Sequence, residues 1–123
     1  MAARDTARAI AAGRLLIGAG MVAAPGLAAR AWIGGDANRP GAQVLCRGLG
    51  VRDLIVGALT LHVVDRPGLG PRTVATMALA DAVDFAATLA VRDQLPPVAA
   101  AGALAMAGGC AAAGFAAAVG LRG

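Results

Sequence analysis

Lysine and glutamate are missing from this chain: all 11 basic residues are arginine and all seven acidic ones aspartate. Aromatic residues make up 2%, and there are two cysteines and one histidine. Each scarcity excludes something. The arginines are scattered from Arg4 to Arg122 with no basic run. Without aromatics between them they form neither a basic stripe nor a stacking platform, so the net charge of +4 does not imply a nucleic-acid partner. There is no C-x-x-C and no His–Cys cluster, so no metal and no cofactor are expected. Cys46 falls near the start of one apolar segment and Cys110 near the middle of another. A disulfide needs Cα atoms within about 7 Å, which those depths oppose. His62 lies near one end of its segment, on the side opposite Asp53, and reads as interfacial rather than catalytic. The use of arginine in place of lysine accompanies an Ala-, Gly- and Val-rich composition, as in a high-GC genome, and needs no mechanism.

What remains is overwhelmingly apolar. The 123 residues are 59% hydrophobic, with mean hydropathy +0.71 and only 15% charged, against about a quarter in soluble domains. That length supports one domain, residues 1–123. Four apolar segments divide it: about 7–24, 44–64, 72–91 and 98–121. Asp5 or Thr6 is a plausible N-cap for the first, and Pro25-Gly26 closes it. Asp65-Arg66-Pro67-Gly68 ends the second, and Pro96-Pro97 precedes the fourth. Segments of roughly 18–24 residues make about 27–36 Å of helix, matching a hydrocarbon core near 30 Å. The expected fold is all-α, an antiparallel bundle of four transmembrane helices. A soluble Ala-rich bundle is the alternative, but it needs a polar face on each helix, and the fourth segment carries no formal charge.

Arg4 and Arg8 before an apolar run resemble a signal peptide, yet Arg14 lies inside that run, so the segment reads as a retained helix. With the N-terminus inside, Arg4, Arg8, Arg66, Arg72 and Arg122 fall on the cytoplasmic side, against Arg30, Arg39 and Arg92 opposite. This bias favours a multi-pass protein of the cell membrane with both termini in the cytoplasm. Residues 27–43 are expected to form a surface connector, with a short helix around Trp32 as an interfacial anchor.

Five charges interrupt the second and third segments: Arg47, Arg52, Asp53, Asp81 and Asp84. A charge at the bilayer centre costs about 2.5–3.5 kcal/mol on insertion scales. The third segment gains only about 3–4 kcal/mol from its larger apolar residues and loses about 6 kcal/mol to its two aspartates, so it needs partners. Counting about 1.5 Å per residue from the inner ends, Arg52 and Asp84 both lie about 18 Å deep. By the same rise, Asp53 lies at about 16 Å, Asp81 at about 14 Å and Arg14 at about 10 Å. An Arg52–Asp84 pair is therefore expected, with Asp53 and Asp81 beside it and Arg14 level with Asp81 or one turn away. Asp81 and Asp84, three apart, share a helix face. Gly50 and Gly57 flank the side of the second segment that bears Asp53, as small residues do where membrane helices approach closely.

The run from Arg47 to Gly57, R-G-L-G-V-R-D-L-I-V-G, fits a pattern R-x-x-G-x-R-D-x-x-x-G, and Ala80-Asp81-Ala82-Val83-Asp84 supplies a following D-x-x-D element. Together with Arg14-Leu15-Leu16-Ile17-Gly18 and Pro25, these motifs resemble a family of uncharacterised small actinobacterial membrane proteins, a domain of unknown function. The likeness covers roughly residues 10–90. It implies a four-helix membrane fold and brings no activity with it.

Three functions fit the residues. In the first, Arg14, Arg47, Arg52, Asp53, Asp81 and Asp84 sum to zero charge and form a self-neutralising network. The protein is then a scaffold or accessory subunit of a membrane assembly, its partners a larger membrane subunit or copies of itself through the small-residue face around Gly108, Gly109, Ala113 and Gly114. In the second, Asp81, Asp84 or Asp53 is an acid/base in the membrane, and Arg47, Arg52 and Arg14 contact an anion or oxyanion of a lipophilic small molecule. Isomerase, cyclase or hydrolase chemistry would suit such a site. In the third, the acids serve a proton- or solute-conducting oligomer.

Overall fold

The computed structural model describes residues 2–123. Among them there is no strand; the order is α1 (Ala3–Ala23), α2 (Pro25–Ala28), α3 (Arg30–Ile33), α4 (Pro40–Val63), α5 (Leu69–Ala90) and α6 (Pro97–Gly120). Short 3-10 turns occupy Gly34–Asn38 and Arg92–Gln94.

Proline sets several of these boundaries. Pro40 and Pro97 open α4 and α6 in the first turn, where the missing N–H has no intrahelical partner to lose. α4 therefore begins before the expected Val44. Pro71 likewise lies inside the first turn of α5, which starts at Leu69 rather than Arg72. Gly68, at φ +79°, makes the preceding turn in a conformation open to glycine. At the N-terminus, Ala2 takes the cap position without a side-chain bond. Asp5 is not the cap; it sits in the first turn, where a negative charge meets the helix dipole favourably.

Inward faces follow helical spacing. In α1 the buried residues are Ala7, Ala11, Arg14, Gly18 and Met21; in α4 they are Cys46, Gly50, Gly57, Thr60 and Val63. α1 and α4 run antiparallel and almost touch. A Cβ on Gly18 would stand 2.7 Å from the Gly50 carbonyl oxygen, and one on Gly50 the same distance from that of Gly18. α5 lies antiparallel to α4, with Thr60 beside Met77. α6 returns along α5, where Gly114 faces Ala78. One apolar cluster joins Ala7, Ala11, Val64, Val74, Met77, Ala117 and Ala118; a second joins Met21, Ala29, Ala37 and Cys46. Arg14 of α1, Arg52 and Asp53 of α4, and Asp81 and Asp84 of α5 fall between them.

The connector carries the expected short helix around Trp32, α3, and packs more closely than a surface segment. Ala29 and Ala37 are buried, and the segment folds back over one end of the bundle against α6. Trp32 is half-buried there, and its indole Nε1 donates to Thr88 Oγ1 of α5 at 2.9 Å. The ring packs on α5, because α3 brings it over the bundle.

The outside of the bundle is greasy. Leu16 is 76% exposed and Val98 87%, and Ile55, Leu79, Val83 and Val119 also point outward. α1, α5 and α6 are each long and apolar enough to cross a membrane. α4 is 24 residues long but carries Arg47, Arg52 and Asp53 along its middle, and is not among these.

Candidate functional site

Five side chains from three helices form one line of alternating charge. Arg14 of α1 donates through Nη1 to Asp53 Oδ1 of α4 at 2.6 Å. Its Nη2 donates to Asp81 Oδ1 of α5, and also to the Met77 carbonyl at 3.2 Å. Arg52 of α4 grips Asp84 of α5 with both terminal nitrogens, Nη2 to Oδ2 at 2.8 Å and Nη1 to Oδ1 at 3.3 Å. Arg52 Nη2 reaches Asp53 Oδ1 as well, at 3.2 Å. The order is Asp81, Arg14, Asp53, Arg52, Asp84.

The depth count anticipates the Arg52–Asp84 contact. It understates Arg14, which bonds to two carboxylates and one carbonyl and is only 6% exposed. The long guanidinium side chain spans the offset between its backbone and those of Asp53 and Asp81. Arg47 is not brought into the cluster. Its side chain is exposed and donates Nε to the Val22 carbonyl of α1 at 3.2 Å, because five residues of helix set it on a different side of α4 from Arg52.

Removing Arg47 changes the charge balance. Two arginines face three aspartates, so the buried group carries one excess negative charge when all are ionised. Three buried polar atoms in it have no hydrogen-bond partner: Asp81 Oδ2, Arg14 Nε and Arg52 Nε. Buried polar atoms without partners are uncommon in native proteins and call for an explanation.

The line of charges forms the floor of a cavity of about 590 Å³, within the size range of small-molecule sites. Its walls are mostly apolar. Ile10, Ile17 and Met21 come from α1, Trp32 from α3, Leu49 from α4, and Met106 and Cys110 from α6. α1 and α6 come together near their ends, where a Cβ on Gly120 would meet Ala3. Further along they separate, and Gly13, on the cavity wall, has open space beside it. Thr88 holds the Trp32 wall in place, accepting from its indole and donating to the Asp84 carbonyl at 2.7 Å. Such a site can hold an elongated apolar molecule with a polar head directed at the charges.

Other chemistry finds less support. Among the described residues no group of three His, Cys, Asp or Glu side chains is placed to hold a metal ion. Cys46 and Cys110 are free thiols, and His62 is exposed beside Arg66.

Sequence reasoning finds the polar floor and misses the apolar walls. Arg14 lies on a stripe with Ala7, Ala11, Gly18 and Met21 at i, i+4, i+7 spacing, a signal that marks it as inward. Met106 and Cys110 carry no comparable signal, since α6 is uniformly apolar. No family model, curated protein or solved structure matches the chain.

Proposed function

We propose that this protein is a membrane-embedded binding protein for a lipophilic small molecule, with all four long helices crossing the bilayer of the cell membrane and both termini in the cytoplasm. The observation that carries the reading is the pairing of a charged floor with apolar walls in one cavity. A network built only to fix helix register has no use for the open space beside it, and that space would be filled at little cost by larger side chains at Gly13 or Ala107. α4 is the fourth span: its central Arg52 and Asp53 face Asp84 and Arg14 rather than lipid, which makes its insertion tolerable.

The scaffold reading keeps one specific support, since Arg14 ties α1 to both α4 and α5. Catalysis by Asp81, Asp84 or Asp53 on the bound molecule would be an elaboration of the binding site. Conduction by an oligomer has no observation in its favour beyond the acids themselves.

Trp32, the only tryptophan, lines the cavity and reports on its contents. Reconstituted in nanodiscs of zwitterionic lipid, the protein is titrated with 12-bromododecanol, whose bromine quenches indole fluorescence. A saturable component is expected in the wild type and is expected to vanish in Ala107→Phe. Quenching that rises linearly with probe, as partition into lipid gives, overturns the reading in the wild type alone, whether or not the variant folds.

A further inference from the structure

We infer that the occupant of this cavity carries a protonated amine, which lies against Asp81 while its apolar body lies along Ile17, Trp32 and Met106. The inference rests on the binding reading above and names the chemical class of the ligand. Three observations point the same way. The buried group holds two guanidiniums and three carboxyl groups, so it carries one negative charge without a counter-charge when all are ionised. An uncompensated charge in a largely buried site is costly, and a cationic occupant removes the deficit. Asp81 is 8% exposed, lines the cavity, and keeps one carboxylate oxygen, Oδ2, with no hydrogen-bond partner. That oxygen lacks a donor beside a cavity that the same residue lines, and an N–H group of the occupant is the donor that would satisfy it.

The alternatives fit less well. Nε of Arg14 and of Arg52 also lack partners, but both guanidiniums are already engaged by carboxylates. An anion added there would raise the excess to two negative charges. A metal ion lacks a set of converging ligands among the described residues. An alcohol can supply a donor to Oδ2 and leaves the charge uncompensated. An ammonium supplies both, and like a lysine side chain it is charged at neutral pH. Trp32 in the same cavity adds an aromatic face of the kind that attracts cations.

The test compares three probes that share one tail: dodecylamine, dodecanol and dodecanoate. Each is titrated at equal amounts per lipid into the full chain in zwitterionic nanodiscs, and saturable change in Trp32 fluorescence is read. The amine is expected to bind about ten-fold more tightly than the alcohol, the usual scale of a charge-assisted hydrogen bond. Dodecanoate is expected to show no saturable binding. In Asp81→Asn the amine is expected to fall to the affinity of the alcohol. Should that variant fail to fold, the order of the three probes on the wild type still decides. Equal affinity of amine and alcohol overturns the amine assignment and leaves the pocket standing, as does tightest binding by dodecanoate. Saturation by none of the three overturns the pocket reading itself.

Discussion

Arg14 and Asp81 lie 67 positions apart in the chain, on α1 and α5, and are directly hydrogen-bonded through Nη2 and Oδ1. Among the described residues no other side chain bonds to Asp81, whereas Arg14 also holds Asp53 at 2.6 Å. The contact therefore joins three helices through one side chain, and the consequences of breaking it are asymmetric.

Arg14→Met removes the only side-chain partner of Asp81 and one of the two held by Asp53. Breaking a buried pair from one side typically costs about 3–5 kcal/mol, and that loss is expected here. Arg52→Met is expected to cost less, because Arg52 is about a third exposed and water can take over part of its role. Unfolding by denaturing detergent from mild micelles measures both. Equal stability of Arg14→Met and wild type would contradict the central place given to Arg14.

Arg47→Ala separates the cluster from its neighbour in sequence. The side chain is exposed and bonds only a backbone carbonyl. A change within about 0.5 kcal/mol of wild type is expected, as for surface substitutions generally, with saturable amine binding unchanged. A loss of binding comparable to that of Asp81→Asn would return Arg47 to the site.

Glycine substitutions along α4 are expected to sort by face. A methyl at Gly50 would meet the Gly18 carbonyl at 2.7 Å and Met21 Cβ at 2.8 Å, both hard to displace. Gly50→Ala should therefore destabilise, by about 1–3 kcal/mol, the usual cost of overpacking. Gly48 has nothing within 4 Å, so Gly48→Ala should be neutral or stabilising by up to about 1 kcal/mol from helix propensity. Thermal unfolding of the two variants side by side checks the contrast.

Thr88→Val keeps the shape of the side chain and removes the acceptor for the Trp32 indole and the donor to the Asp84 carbonyl. A loss of about 1 kcal/mol is expected for a hydrogen bond of this kind. Trp32 emission should shift, since the indole N–H loses its partner. An unchanged spectrum would mean that Trp32 does not rest on α5 in the membrane.

The helical content was legible because length and hydropathy act locally. Pro25-Gly26, Asp65–Gly68 and Pro96-Pro97 end or begin helices whatever surrounds them, so the four long helices emerge within a few residues of their expected limits. The pairing of Arg52 with Asp84 was legible too. A hairpin of two helices with a uniform rise per residue brings equal depths together, and counting is enough. Gly50 and Gly57 announced a close approach by their spacing beside Asp53.

Other features depended on which helices become neighbours. The count put Arg14 about level with Asp81 or a turn away, but could not show that its guanidinium reaches two helices at once. Arg47 is five residues from Arg52 and belongs to the same motif, yet the rotation of α4 turns it out of the cluster. That rotation turns a neutral set of charges into one with an excess of one carboxylate. Trp32 read as an interfacial anchor, and only the fold of the connector lays it over the bundle.

The amino-acid sequence by itself determined that this is an all-helical, apolar chain with arginine and aspartate set into its long helices. Those properties follow from composition and from the near-constant rise of a helix. Only the tertiary structure decided which charges meet, which one is left over, and that a cavity opens above them. A void is the space that side chains from all six helices fail to fill, and no single segment carries a record of it.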